Sequence, residues 1–160
     1  FGFREDFKGL GVIVDTYDND GDGSGEHPRL MGVINDGSKE FSHNHDHHKQ
    51  DPDAMEIGGC QFNLRNNPNA FLRVKYYGGQ LQVSTDSGDG VWSVCFTRDN
   101  INLPTGYYFG FSAATGDLAD DHDIQGVALK NLDADALSID PIEVIFLFEK
   151  YLFFRGILEI

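Results

Sequence analysis

The sequence predicts an all-β domain built as a sandwich of two antiparallel sheets. Three observations predict it. Short runs rich in Val, Ile, Phe and Tyr recur along the chain, clusters of Gly, Asn, Asp and Pro separate them, and no helical stripe of apolar residues precedes residue 135. The 160 residues include 19 Gly and 13 Phe, which fits many tight turns around one aromatic-rich core.

Each strand is marked by its residues and its stop signal. GLGVIVDTY (9–17) is β-branched and Gly-punctuated, and it runs straight into the acidic stretch DTYDNDGDGSGE (15–26). RLMGVIND (29–36) is closed by the turn NDGS (35–38), and CQFNL (60–64) by RNNPN (65–69). AFLRVKYY (70–77) and QLQVSTD (80–86) alternate on either side of Gly78-Gly79 and make the clearest hairpin. DSGDG (86–90) leads into VWSVCFT (91–97), and NLPTG (102–106) into YYFGFSAAT (107–115). DIQGVALKNL (123–132) is the last strand of the domain. Composition shifts around NLDADALSIDP, dividing the chain into a β-domain over 1–132 and a divergent tail over 133–160. The tail segment PIEVIFLFEKYLFFRGILEI reads as a buried strand or helix. Glu143, Glu149, Lys150, Arg155 and Glu159 interrupt it, so no direct membrane insertion by this fragment is expected.

Charge narrows the partners. With 26 acidic and 12 basic residues the net charge is −14, which argues against nucleic acid and anionic lipid surfaces and suits cations or neutral polar ligands. The two cysteines, Cys60 and Cys95, lie in strand-like contexts 95 − 60 = 35 residues apart. Two buried thiols and one disulfide fit that pattern equally.

The acidic stretch places Asp15, Asp18, Asp20, Asp22 and Glu26 within twelve positions, a composition that suits calcium. An EF-hand counted from Asp18 has acidic residues at positions 1, 3 and 5 and Gly23 at position 6. Its position 12 falls on Arg29, a cation where a bidentate Glu is required, and neither flank is helical. What remains is a strand entering a ligand loop, with Asp15, Tyr17 and Asn19 on one face if the chain stays extended. A solvated Asx/Gly turn accounts for the same residues. FSHNHDHHKQD (41–51) clusters His43, His45, His47 and His48 around Asp46. It lacks the Cys or second His pair of a structural zinc site, and Asp46 would instead complete a calcium shell. In SAATGDLADDHDI (112–124), Gly116 lets the backbone turn closely, so Asp117 and Leu118 would present main-chain N–H groups at a loop tip.

Taken together, FKGLGVIVDTYDND, the His-x-x-Asp of SHNHD and LPTGYYFGFSAATGDLADDHDI resemble the L-type (leguminous-type) lectins of the secretory pathway, over about residues 1 to 130. The resemblance implies a legume-lectin (concanavalin A-like) antiparallel β-sandwich with Ca²⁺ as cofactor. Its partners would be high-mannose N-glycans of secretory glycoproteins, and its function cargo transport or sorting rather than catalysis. It implies metal ligation by Asp15, the Tyr17 carbonyl, Asn19 and Asp46. It implies carbohydrate contacts from Asn19, His43, Gly116, Asp117 and Leu118, and a disulfide between Cys60 and Cys95. It also implies residence in the lumen of the ER, the ER–Golgi intermediate compartment or the Golgi, as part of a type I membrane protein. The family's lectin domain begins further upstream, with strands and a Gly-Asp-Gly turn that these residues do not include, so the sandwich is expected to be incomplete at its N-terminus. Ser42 also stands where the family commonly has Asp. Two alternatives remain open: a calcium-binding β-sandwich fragment without glycan binding, and a glycoside hydrolase on the same fold. The hydrolase needs two carboxylates about 5 Å apart, and the nearest acidic stretch, DPDAMEIGG, lacks the Glu-x-Asp-x-x-Glu spacing that supplies them.

Overall fold

The computed structural model describes residues 4–18, 27–41, 55–116, 121–131 and 142–148. Among these lie β1 (Lys8–Asp15), β2 (Arg29–Asp36), β3 (Glu56–Gln61), β4 (Phe71–Tyr77), β5 (Gln80–Asp86), β6 (Ser93–Arg98), β7 (Ile124–Asn131) and β8 (Ile142–Phe148). All pairings are antiparallel, as the sequence predicts. They build a three-stranded sheet in the order β1-β2-β3 and a five-stranded sheet in the order β6-β5-β4-β8-β7. The chain forms two compact units, one of Phe1–Asn63, Leu103–Ala119 and Phe153–Ile160, the other of Leu64–Asn102 and Asp120–Leu152. The smaller sheet belongs to the first unit and the larger sheet to the second.

In the first unit, every residue of β1 after Lys8 is buried. Both faces of the strand are therefore covered, which explains why its sequence is a near-continuous apolar run rather than an alternation. The register sets Leu10 against Ile34 and Val14 against Leu30 on one face. On the other it sets Gly11 against Val33, Ile13 against Met31 and Asp15 against Arg29. Phe7, Ile13, Met31 and Val33 form an apolar cluster on that second face, with Phe41 and Met55 packed against it. Burying each such side chain contributes about 1.5–3 kcal/mol. The turn after β2 is organised by Asn35. Its Nδ2 donates to the carbonyls of Glu5 (3.2 Å) and Lys39 (2.8 Å), and its Oδ1 accepts from the Gly37 N–H at 2.9 Å. Beside it the Ser38 side chain and N–H, with Lys8 adding attraction, hold the Asp36 carboxyl below its usual range.

Gly59 of β3 is fixed by close approach. A Cβ there would lie 2.6 Å from the Leu30 carbonyl oxygen and 3.1 Å from Nη2 of Arg29, so the Arg29 guanidinium lies across a position only glycine leaves open. From there Arg29 Nη2 donates to Glu56 Oε1 at 2.5 Å. Gly59→Ala is expected to destabilise the protein by about 1–3 kcal/mol, because the clash is with backbone that has no rotamer to change. Urea denaturation measures this, and an unchanged midpoint would contradict the packing described.

In the second unit, Gly78 and Gly79 have φ of 57° and 78°, the two positive values of a type I′ hairpin turn. This fixes the β4–β5 register that pairs Val74 with Val83 and Tyr76 with Leu81, all buried. The Tyr76 hydroxyl donates to the Ile101 carbonyl at 3.1 Å, satisfying its polar end. On the opposite face the Arg73 guanidinium stacks 4.0 Å from the Trp92 ring, which Phe71 flanks at 6.3 Å. Asp86, buried at the end of β5, gathers the next loop by accepting at Oδ1 from the N–H groups of Gly88, Asp89 and Gly90 (2.7, 3.1 and 3.2 Å). Cys60 and Cys95 are disulfide-bonded. Each lies on the outermost strand of its own sheet, β3 and β6 respectively.

Three sequence expectations shift. The run YYFGFSAAT does not form a strand, and residues 101–116 are irregular. Its residue types suit a strand, but a strand exists only through its ladder, and no described strand pairs with this one. Tyr108 is accordingly 84% exposed, and Phe109 and Phe111 are exposed too. β1 stops at Asp15 rather than Tyr17, and β3 starts at Glu56, ahead of Cys60. The tail segment expected as a strand or helix contains strand β8, which pairs with both β4 and β7. Among the described residues no helix is long and apolar enough to cross a membrane.

Candidate functional site

The site begins where β1 ends. Asp15 is 1% exposed, a carboxylate at the end of a strand whose preceding six residues are all buried. Its Oδ1 accepts from the Tyr17 N–H at 3.1 Å, an Asx turn that breaks the strand and redirects the chain. Tyr17 is 53% exposed, so Asp15 and Tyr17 do not continue the same-face alternation expected of an extended chain. The turn has its own use: it holds the carboxylate in one orientation and frees the following backbone from the sheet. Between them the Thr16 hydroxyl oxygen is buried without a hydrogen-bond partner among the described residues.

Arg29 faces Asp15 directly across the β1–β2 ladder, which places their Cβ atoms roughly 5 Å apart. Its side chain is 10% exposed and that of Glu56 23%. Asp15 and Arg29 pair at one end of the β1-β2-β3 sheet, and the Arg29 side chain runs along it to Glu56, which is opposite Val33. Sequence reading missed Arg29, Glu56 and Gly59. The available signal was Arg29 itself, a lone cation immediately after the most acidic stretch of the chain.

Of the metal and carbohydrate residues the sequence singles out, Asp15, Tyr17 and Gly116 are described, and they belong to the same unit. Gly116 is exposed, and an added Cβ there would meet nothing within 4 Å, so the segment leading to the Gly-Asp-Leu loop lies in open space. Asn19, His43, Asp46, Asp117 and Leu118 lie outside the described residues. Among the described residues no group of three or more His, Cys, Asp or Glu is arranged to hold a metal. The described donors nonetheless suit a hard cation: a fixed, buried carboxylate followed by a turn whose carbonyls have left the ladder.

A family model, that of the legume-like lectin family, matches residues 1–138. The chain is similar to the vesicular integral-membrane protein VIP36 of Mus musculus, at 39% identity over 137 residues, which are 84% of this chain and 37% of that protein. It is 36% identical over 138 residues to a VIP36-like protein of Mus musculus (82% of this chain, 38% of that one). It is 33% identical over 129 residues to protein ERGIC-53 of Mus musculus (78% and 24%). The chain therefore spans well under half the length of these curated relatives. Its fold is that of the VIP36 exoplasmic/lumenal domain, solved in a Ca²⁺/Man2-bound form. The TM-score is 0.60 at 24% identity, covering 99% of this chain and 49% of that one. A metal-free form of the same domain matches with a TM-score of 0.60 at 23% identity, covering 99% and 51%.

Proposed function

Because the chain belongs to the legume-like lectin family, with the legume-lectin β-sandwich fold, we propose that it is a calcium-dependent lectin module for high-mannose N-glycans. Its place would be the lumen of the early secretory pathway, where it would bind cargo glycoproteins without catalysing a reaction on them. The single observation that carries this reading is Asp15: a buried carboxylate at a strand end, held by its own Asx turn, in a family whose VIP36 member is solved with calcium and mannose.

Asp15 and the Tyr17 carbonyl supply the first two oxygens of the calcium shell, and Asn19 and Asp46 the rest. Calcium, when bound, rigidifies the loops that carry the sugar contacts. Asn19 turns its amide to the hexose, His43 offers a ring nitrogen, and Gly116, Asp117 and Leu118 offer main-chain N–H groups to sugar hydroxyls. The exposed Tyr17 ring gives the C–H side of the hexose an apolar surface to rest on. Polar sugars offer little area to bury, so single-site affinity is modest, and clustered glycans gain through avidity.

Calorimetry tests the proposal. Calcium is titrated into the chelator-treated protein, then a mannose oligosaccharide into the calcium-loaded protein. Heat from the sugar only after calcium is the expected result. Calcium uptake with no sugar response in this chain would support a calcium-binding module without a glycan site. Equal sugar binding with and without chelator would overturn the calcium requirement.

A further inference from the structure

The run YYFGFSAAT, residues 107–115, has the composition of a strand and no ladder. It lies wholly within the first unit. Among the described residues, no backbone hydrogen bond holds residues 107–110 or 112–116. Tyr108 is 84% exposed, Phe109 37% and Phe111 44%. An apolar run with open backbone donors and acceptors is a ready template for a strand from another chain. Two residues bound it on one side: Pro104, which has no N–H to give a ladder, and Gly106, whose φ of 89° ends extended backbone.

Charge and residue size say which chain that is. At a net charge of −14 two copies repel, yet residues 100–116 contain no Asp, Glu, Lys, Arg or His, so along this run a second copy meets the least like charge. Its side chains are large before Phe111 and small after it. Antiparallel pairing of two copies about Phe111 sets Tyr107 opposite Thr115 and Phe109 opposite Ala113 on one face. On the other face it sets Tyr108 opposite Ala114 and Gly110 opposite Ser112. Every aromatic ring ahead of the axis thus meets a small residue, and none is overpacked. We propose that residues 107–115 are a dimerisation strand, which pairs antiparallel with the same run of a second copy about a two-fold axis at Phe111. The pairing uses neither calcium nor sugar, so it stands apart from the lectin reading.

Area sets the strength. The three exposed rings withdraw roughly 300 Å² per copy, well under the ~800 Å² per partner of a standard interface. Backbone pairing supplies the rest, so the dimer is expected to be weak and half-formed at micromolar concentrations. Salt is expected to tighten it, because screening weakens the repulsion between two acidic copies. Tyr108→Lys, at the most exposed position of the run, is expected to loosen the dimer by about tenfold through lost ring area. Ala114→Glu, opposite it, is expected to loosen it by about as much, through a carboxylate covered without a partner. Combined in one chain, the two substitutions form a Lys–Glu pair twice by symmetry, so the dimer is expected to be at least about fivefold tighter than with either alone. Tyr108→Lys/Gly110→Glu puts the same charges out of register across the axis and is expected to recover nothing. Gly110 has room for the change, since an added Cβ there meets nothing within 4 Å.

The test is sedimentation velocity on the full chain and these variants over a concentration series, in chelator and at low and high salt. Melting temperatures of each variant show that it is folded. A monomer–dimer equilibrium, favoured by salt and recovered only by the in-register charge pair, is the expected result. An unaltered protein that stays monomeric up to millimolar concentration would overturn the proposal, and another segment would then be what covers the run. Growth past the dimer would overturn it too, since a strand that pairs through an open edge does not close on a two-fold axis. So would equal recovery by the out-of-register pair, or a dimer that Tyr108→Lys leaves unchanged. Because calcium is absent throughout, failure here leaves the calcium and sugar calorimetry untouched, and failure there leaves the dimer standing.

Discussion

Asp15→Asn is expected to lower calcium affinity by about 100-fold, or about 2.7 kcal/mol, and to abolish calcium-dependent glycan binding with it. The substitution is chosen because the amide keeps an oxygen for the Tyr17 N–H, so the Asx turn at the end of β1 persists while one negative charge is lost. The cation then loses a charged ligand and keeps a neutral one in its place. The side chain is buried, so water cannot substitute freely for the missing charge. Calcium calorimetry measures the loss. Melting in chelator separates it from unfolding. An affinity within threefold of the unaltered protein would remove Asp15 from the shell and the calcium proposal with it.

The second large effect is covalent. Replacing both Cys60 and Cys95 with Ser is expected to cost about 4 kcal/mol, the loop-closure entropy of a segment of roughly 35 residues. Both are replaced so that no lone thiol is left to form intermolecular bridges. For a chain of this size the loss corresponds to a melting temperature lower by about 10 °C. Among the described strands each cysteine lies on an outermost one of its sheet, so the constraint acts on strands that a single described neighbour holds. A melting temperature lowered by less than about 2 °C would mean that native strain offsets the entropic gain. The bond also fits an oxidising lumen and argues against a reducing compartment.

Several features were legible in the sequence, each through a local rule. The Gly78-Gly79 turn and the alternation around it specify the hairpin, because only positive φ at both positions matches strand twist. RLMGVIND matches β2 residue for residue. The run YYFGFSAAT failed because pairing is a property of the partner strand, which composition does not contain. The length of β1 failed for a different reason: the Asp15 side chain competes with the ladder for the Tyr17 N–H, and an alternation argument cannot see that competition. The sequence singles out Asp15 by its residue type and setting, and the structure buries it at the end of β1. Arg29 is visible in the sequence as a cation after the acidic stretch, but its relation to Glu56 and Gly59 is not, since that depends on the β2–β3 register and on a side chain crossing a position that has none. That register includes a bulge between Gly32 and Val33, which no local pattern announces.

The chain has one tryptophan, and it lies in the unit of Leu64–Asn102 and Asp120–Leu152, stacked with Arg73. Its intrinsic fluorescence therefore reports on the surroundings of Arg73 and Phe71 in that unit. A melt followed by indole emission and a melt followed by far-ultraviolet dichroism watch different parts of the molecule. Coincident curves would mean that the lectin module unfolds as one cooperative body, and separated curves would date the loss of each unit independently.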